Sequence, residues 1–248
     1  MIRNTHSTGA RPGLAEFPHP VLHERVTGSV RWHTGGQIPS YNALIPLVVI
    51  LAKGPAWTAS ERRLARRWLL LAGVRGTFSG AAQTELDRVL KKLGAAPSVD
   101  GLWNATKSGL SQLRSSDFET GRLSGPVMSL YLSMLRDKDA RDWEKHEVRL
   151  DGSVVGDLAQ LQVHHVFPRA LLNKMPKITA ADIDTFANYA VLRKGANLGV
   201  STKEPTTYIA WLKVPKAELR KQCMPENQDL WHVTKYKDFL AARRKLLV

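Results

Sequence analysis

The segment Leu161-Gln-Val-His-His-Val-Phe-Pro168 constrains the local fold more than any other part of this sequence. Its apolar, β-prone residues predict a strand, and Pro168 ends that strand because proline has no amide hydrogen to donate to a sheet. Consecutive side chains of a strand point to opposite faces of the sheet. We therefore expect His164 and His165 to have different roles, one holding a metal ion and the other reaching a substrate.

Two asparagines follow this pair of histidines. They stand in Ala187-Asn188-Tyr-Ala-Val-Leu192 and in Ala196-Asn197, ahead of Ser201-Thr-Lys203-Glu-Pro205. The order His-His, Asn, Asn resembles the motif of a ββα-metal nuclease finger of the HNH type. The residues alone leave other interpretations open: solvated imidazoles at a strand end, a turn-forming Asn188, and an Asn197 that caps a helix.

The resemblance extends over most of the chain. Segment 161–208 is similar to the HNH finger at the C-terminal end of GmrSD-type modification-dependent restriction nucleases and related phage-defence proteins, and more distantly to the HNH domain of the RNA-guided CRISPR nuclease. The likeness also includes segments 38–47, 78–86, 230–231 and 236–246. The ParB-like, nucleotide-binding half that usually precedes this region is missing from the chain. We therefore expect a partner-dependent subunit, a fragment or a free-standing nuclease.

This resemblance implies a role for each motif residue. His165 matches the general base that activates water, and Asn188 matches the middle asparagine that keeps the base oriented. His164 stands where related fingers carry Asp, Glu or His as the first metal ligand, and Asn197 matches the second ligand. The implied cofactor is one divalent ion, Mg²⁺ or Mn²⁺, with Ni²⁺ or Zn²⁺ as alternatives because imidazole suits these ions.

The charge of the chain favours a polyanionic partner. The sequence has 36 basic and 22 acidic residues, a formal net charge of +14 at pH 7, and DNA is the first candidate for such a chain. Arg169 and Lys203 lie close to the motif and are expected to contact phosphates. Arg62 and Arg66 belong to a basic stripe on a predicted helix. A solvated surface is the alternative interpretation for all four side chains.

The predicted fold class is mainly α, with a small ββα-metal (HNH/His-Me) finger inserted between helical segments. Residues 1–37 are expected to form a flexible N-terminal arm, 38–150 a helical domain, 151–205 the finger, and 206–248 a C-terminal helical segment packing on it. Thr58-x-x-Glu61 predicts a capping box, and Ser79 is expected to cap a later helix. Trp68 and Trp211 are expected in the core.

Several classes of protein are disfavoured by the composition. The chain has a single cysteine, Cys223, which excludes an intramolecular disulfide and a cysteine-based zinc knuckle. No run of apolar residues is long enough for a membrane span, so no membrane partner is expected. The N-terminus has no hydrophobic region typical of a secretory signal, and the default expectation is a cytoplasmic protein.

The sequence therefore predicts a metal-dependent DNA endonuclease of prokaryotic anti-phage defence. One finger cuts one strand, so a nicked product is expected, and the oligomeric state stays open. A separate sensor or NTPase subunit is a candidate partner. Two alternatives are a non-catalytic nucleic-acid-binding subunit of a defence complex and an HNH toxin. The intact His-His, Asn, Asn set argues against the first, because a finger without catalysis has no need of a base.

Overall fold

The computed structural model describes residues 41–106, 110, 113–118, 125–150 and 161–248. The chain is mainly helical and has one two-stranded sheet in the described residues, so the predicted mainly-α class is confirmed. The predicted arm, 1–37, lies outside the described residues, as does the first part of the predicted finger, 151–160.

Before the sheet, the described residues form five α-helices: α1 (Leu44–Lys53), α2 (Ala59–Val74), α3 (Ala82–Leu93), α4 (Val99–Thr106) and α5 (Gly125–Asp137). The predicted capping box at the start of α2 is confirmed, since Thr58 and Glu61 exchange side-chain and backbone hydrogen bonds. The predicted cap by Ser79 is wrong. The amide of Ser79 closes a turn onto Gly76, and α3 begins three residues later, after Ala81.

Helices α1, α2, α3 and α4 share one hydrophobic core. Trp68 is fully buried in it, as predicted, and its indole nitrogen donates a hydrogen bond to Oγ1 of Thr106 over 2.9 Å. A second core runs from Phe118 to Leu247 and contains α5, the sheet and the C-terminal helices. Leu113 and Leu130 pack against both cores. The predicted division at 150 and 205 stays a prediction, while the apolar packing divides nearer to residue 113.

The sheet pairs β1 (Leu161–His165) with β2 (Tyr189–Arg193) in antiparallel register, His165 opposite Tyr189. The connection between them contains two short helices, α6 (Arg169–Leu172) and α7 (Ala180–Ile183), and a turn of 3-10 helix, Phe186–Asn188. Helix α8 (Lys194–Val200) begins directly after β2. The predicted strand before Pro168 is therefore present, and the order strand, strand, helix brings α8 against the sheet.

The C-terminal part consists of α9 (Pro205–Trp211), α10 (Lys216–Lys221) and α11 (Tyr236–Leu246), with 3-10 turns at Gln228–Trp231 and Val233–Lys235. The prediction that Trp211 lies in the core is wrong, because its side chain is 55% exposed. Its indole covers Gly199 of α8, where a Cβ atom would come within 3.0 Å of the ring. None of the helices in the described ranges combines the length and the apolar character that a membrane span needs.

Candidate active site

The two adjacent histidines of β1 point in different directions, as strand geometry predicts. His164 is 4% exposed and faces the second core, where its ring meets the edge of Tyr208. His165 is half-buried on the other side, and its ring lies 4.6 Å from that of Tyr189, measured between centroids. The two imidazoles therefore occupy separate environments, one buried and the other partly open to solvent.

His164 is hydrogen-bonded to Asn197 of α8. Nδ1 of His164 lies 2.8 Å from Oδ1 of Asn197, and because an amide oxygen only accepts, Nδ1 carries the hydrogen. Nε2 is then a bare acceptor, buried and without a hydrogen-bond partner among the described residues. Burial lowers the pKa of His164 from 6.5 to about 4, against an opposing effect of the Asn197 hydrogen bond. The imidazole is therefore neutral at pH 7.

Asn197 is fixed at both ends of its amide. Its oxygen accepts from His164, and its Nδ2 donates to Oε1 of Gln162 over 2.8 Å. Gln162 stands two residues before His164 on the same strand, so strand alternation places both on one face. Asn197 does not cap α8, because the helix begins at Lys194 with Arg193 at the N-cap position. The capping interpretation of Asn197 is therefore wrong.

Asn188 holds the chain that leaves β1. It is fully buried, and its side-chain oxygen accepts from the amide of Phe167 over 2.9 Å. Its Nδ2 donates to the carbonyl oxygens of Phe167, over 3.2 Å, and of Ile183, over 3.0 Å. Its own carbonyl accepts from the amide of Val166 over 2.7 Å. These bonds fix the backbone immediately after His165.

The sequence motif does not include the residue that contacts His165. Nε2 of His165 lies 3.1 Å from Oδ1 of Asp184, which also pairs with Arg169 and accepts from the hydroxyl of Tyr189 over 3.3 Å. Burial raises the pKa of the Asp184 carboxyl, but hydrogen bonds from Arg169 and His165 outweigh this effect and lower it below its ordinary value. Asp184 is therefore an ionised acceptor beside the imidazole.

The two predicted phosphate contacts near the motif are both engaged within the chain. Arg169 follows Pro168 directly and binds Asp184, so it lies beside His165. Lys203 comes three residues after the end of α8. Its Nζ donates to the carbonyl of Gly199 over 2.6 Å and lies 5.0 Å from the ring centroid of Trp211.

Arg62 and Arg66 lie on α2, where Arg62 is exposed and Arg66 is half-buried. Nη1 of Arg62 donates to the carbonyl of Trp57 over 2.5 Å. Arg66 pairs with Asp137 of α5 over 3.0 Å and also donates to the hydroxyl of Ser133. Within the described part of the chain, neither arginine has a hydrogen bond or ion pair with residues 161–205. The structure therefore does not bring this pair to the motif.

Arg243 of α11 braces the loop before Asn188. It is fully buried, and it donates to the carbonyl of Ala187 over 3.0 Å, to that of Gln222 over 3.0 Å and to the hydroxyl of Tyr131 over 3.2 Å. The guanidinium of Arg243 is therefore inside the second core and does not face solvent.

The donor atoms present fit a weakly held divalent ion. An imidazole nitrogen and an amide oxygen, from His164 and Asn197, are within bonding distance of each other, and both suit Mn²⁺ or Ni²⁺. No group of three or more His, Cys, Asp or Glu side chains suited to a metal occurs in the described residues. An ion between these two side chains requires the Nδ1 hydrogen to move to Nε2, a change of tautomer and not of charge.

Comparison with known proteins gives no information about the function of the site. No family model, curated protein or solved structure matches the chain. The features that indicate a function are therefore the arrangement of four side chains, those of His164, His165, Asn188 and Asn197, and the motif that their order resembles.

Proposed function

We propose that this protein is a metal-dependent DNA endonuclease that nicks its substrate and acts in prokaryotic anti-phage defence. One observation carries the proposal: His164 and Asn197, distant in the sequence, meet at 2.8 Å, while the neighbouring His165 faces solvent. A histidine that can accept a proton, next to a separate pair of metal-binding side chains, is the arrangement that hydrolysis of a phosphodiester needs.

His165 is the general base in this proposal. Its Nε2 is bonded to Asp184, whereas its Nδ1 has no hydrogen-bond partner among the described residues. Nδ1 takes a proton from a water molecule, the water oxygen bonds to phosphorus, and the bond from phosphorus to the 3′ oxygen breaks. The 3′ oxygen takes a proton from solvent, which leaves a 3′-hydroxyl and a 5′-phosphate. An imidazole suits this role at neutral pH.

His164 and Asn197 would hold the divalent ion, whose positive charge stabilises the phosphate and the leaving oxygen. Burial keeps His164 neutral and Gln162 orients the amide of Asn197. Because both ligands are neutral, we expect weak metal binding until a DNA phosphate adds negative charge. We assign β1, β2 and α8 to a ββα-metal finger of the HNH type on this basis.

DNA is the partner that the charge of the chain supports. The net charge of +14 favours a polyanion, since each neutralised phosphate releases counterions. Arg169 is the candidate phosphate contact closest to the proposed base, because it already binds Asp184. Lys203, Arg62 and Arg66 stay candidates too, and each has an intramolecular contact that DNA would have to compensate.

The defence role follows from the resemblance to restriction nucleases and not from the geometry of the site. It implies a cytoplasmic enzyme that meets invading DNA there. A separate sensor or NTPase subunit is the partner that this resemblance implies.

Incubation with supercoiled plasmid tests the proposal. We expect conversion to the open circle with Mn²⁺ and no conversion with EDTA. DNA ligase should reseal the product directly, because the proposed chemistry leaves a 5′-phosphate beside a 3′-hydroxyl. An intact plasmid across Mg²⁺, Mn²⁺ and Ni²⁺, or nicks that ligase cannot close, would contradict the proposal.

A further inference from the structure

The carboxylate of Asp184 accepts hydrogen bonds from three side chains around the proposed base. Its Oδ1 lies 3.1 Å from Nε2 of His165, 3.3 Å from the hydroxyl of Tyr189 and 2.5 Å from a guanidinium nitrogen of Arg169. Oδ2 is also bound by Arg169. All three partners donate, so the carboxylate acts purely as an acceptor.

We propose that Asp184 is a positioning residue, which fixes the tautomer and the orientation of the His165 ring; this inference rests on the proposed nuclease function. An ionised carboxylate can only accept, so Nε2 of His165 must carry the hydrogen. The other ring nitrogen, Nδ1, is then left with its lone pair free. Asp184 thus decides which nitrogen of His165 can take a proton from water.

The fold holds Asp184 and His165 in a fixed relation through Asn188. One amide group of Asn188 binds Phe167, two residues after His165, and Ile183, the residue before Asp184. Asp184 also ends helix α7, whose start is fixed by a capping box between Thr179 and Asp182. The backbone close to each member of the pair is therefore bonded to the same buried side chain.

Arg169 and Tyr189 complete the environment of the pair. Arg169 supplies a positive charge to Asp184, so the carboxylate has a charged partner in addition to the imidazole. The ring of Tyr189 lies at 51° to that of His165, with 4.6 Å between centroids. The imidazole is thus restrained twice, by a hydrogen bond at Nε2 and by packing against an aromatic ring.

Nitrogen NMR of the imidazole tests this inference on the metal-free, full-length protein. The neutral ring of His165 in the wild type should show a protonated Nε2 and an unprotonated Nδ1. The resonance of the Nε2 proton should be shifted downfield, as is typical of a hydrogen bond to a carboxylate. The Asp184→Ala variant should lose that proton signal. Glu226→Gln is the matched control, because it removes another carboxylate paired with an arginine, Arg220, away from His165.

Single-turnover cleavage gives the second measurement. Asp184→Ala should lower the rate about tenfold to a hundredfold, by analogy with the loss of a carboxylate that orients a metal-bound histidine, with DNA affinity unchanged. Asp184→Asn keeps an accepting oxygen and should recover part of the rate, while Glu226→Gln should match the wild type. Thermal melts verify that each variant is folded.

The outcomes separate this inference from the nuclease proposal. A wild-type ring protonated at Nδ1 overturns the inference, and so does a folded Asp184→Ala variant that cleaves at the wild-type rate. In both cases a cutting wild type leaves the nuclease proposal standing. A wild type that cuts no DNA overturns the nuclease proposal and the catalytic part of the inference together.

Discussion

Nδ1 of His164 and Oδ1 of Asn197 lie 2.8 Å apart although 33 residues separate them in the sequence. The antiparallel pairing of β1 with β2 and the immediate start of α8 after β2 bring them together. Gln162 holds the free end of the Asn197 amide. The contact between His164 and Asn197, which depends on β1, β2 and α8, can be tested by its effect on metal preference, on stability and on cleavage.

The identity of residue 164 should set the metal preference. With two neutral ligands, we expect Mn²⁺ or Ni²⁺ to support cleavage at lower concentration than Mg²⁺, because imidazole suits those ions and Mg²⁺ prefers oxygen. His164→Asp should shift the preference toward Mg²⁺. Titrations of cleavage rate against each ion measure the shift, and His232→Asp, at an exposed position, is the control. An unchanged preference in His164→Asp would remove His164 from the metal site.

Stability should fall as the pH is lowered from 7 to 5 because His164 is buried in its neutral form. Its folded-state pKa is about 4 instead of 6.5, so at pH 5 the unfolded chain binds a proton that the folded chain does not. Linkage then predicts a loss of about 2 kcal/mol from this group. Its contribution is fully present above pH 6.5 and is lost as the pH falls toward 4.

Urea unfolding of the wild type and of His164→Gln at both pH values measures this loss. The glutamine side chain can still donate to Asn197 but does not titrate, so the variant should be less sensitive to pH by about the same amount. His232→Gln should keep the wild-type sensitivity. Equal sensitivity in wild type and His164→Gln would mean that the folded protein accommodates a charged His164.

Asn188→Ala should destabilise the protein by about 3 kcal/mol or more, because three buried polar groups lose their partner. The change leaves the amide of Phe167 and two carbonyl oxygens unsatisfied in the core, and each unsatisfied buried group costs roughly 1–3 kcal/mol. Chemical denaturation measures the effect. Asn173→Ala, on the exposed surface, should change stability by a few tenths of a kcal/mol at most. A similar small effect for Asn188→Ala would contradict the structural role of this residue.

DNA affinity should depend steeply on salt, with a slope of about −0.9 per phosphate contact on a double-logarithmic plot. If Arg66 of α2 contributes to DNA binding, its ion pair with Asp137 reduces that contribution. Asp137→Asn should therefore raise affinity more than Asp87→Asn, which makes the same charge change at an exposed position on α3. Equal effects of the two variants would place Arg66 outside the DNA surface.

Local patterns predicted much of the fold. Thr58 and Glu61 form the expected capping box, Trp68 lies in the core, and the strand ends before Pro168. Each of these three features depends on residues a few positions apart in the sequence, whose relative positions are determined by local backbone geometry. Trp211 was misjudged because its apolar neighbours suggested burial, whereas its ring lies on the surface over Gly199.

The environment of the site could not be predicted in the same way. Asp184 contacts His165, and Arg243 contacts the carbonyl of Ala187 beside Asn188. No sequence pattern links either residue to the His-His, Asn, Asn motif. Gln162 could have been recognised, because strand alternation places it on the face of His164. Contacts between distant segments depend on how the second core packs, and a single sequence contains no local signal for that.

The most direct test of the nuclease proposal is the single-turnover nicking rate of His165→Ala beside its DNA affinity. We expect nicking to fall on the order of 10²–10⁴-fold, the typical contribution of a positioned base, with the dissociation constant unchanged and with His232→Ala equal to the wild type. A folded His165→Ala variant that nicks DNA at the wild-type rate would contradict the proposal that His165 activates water.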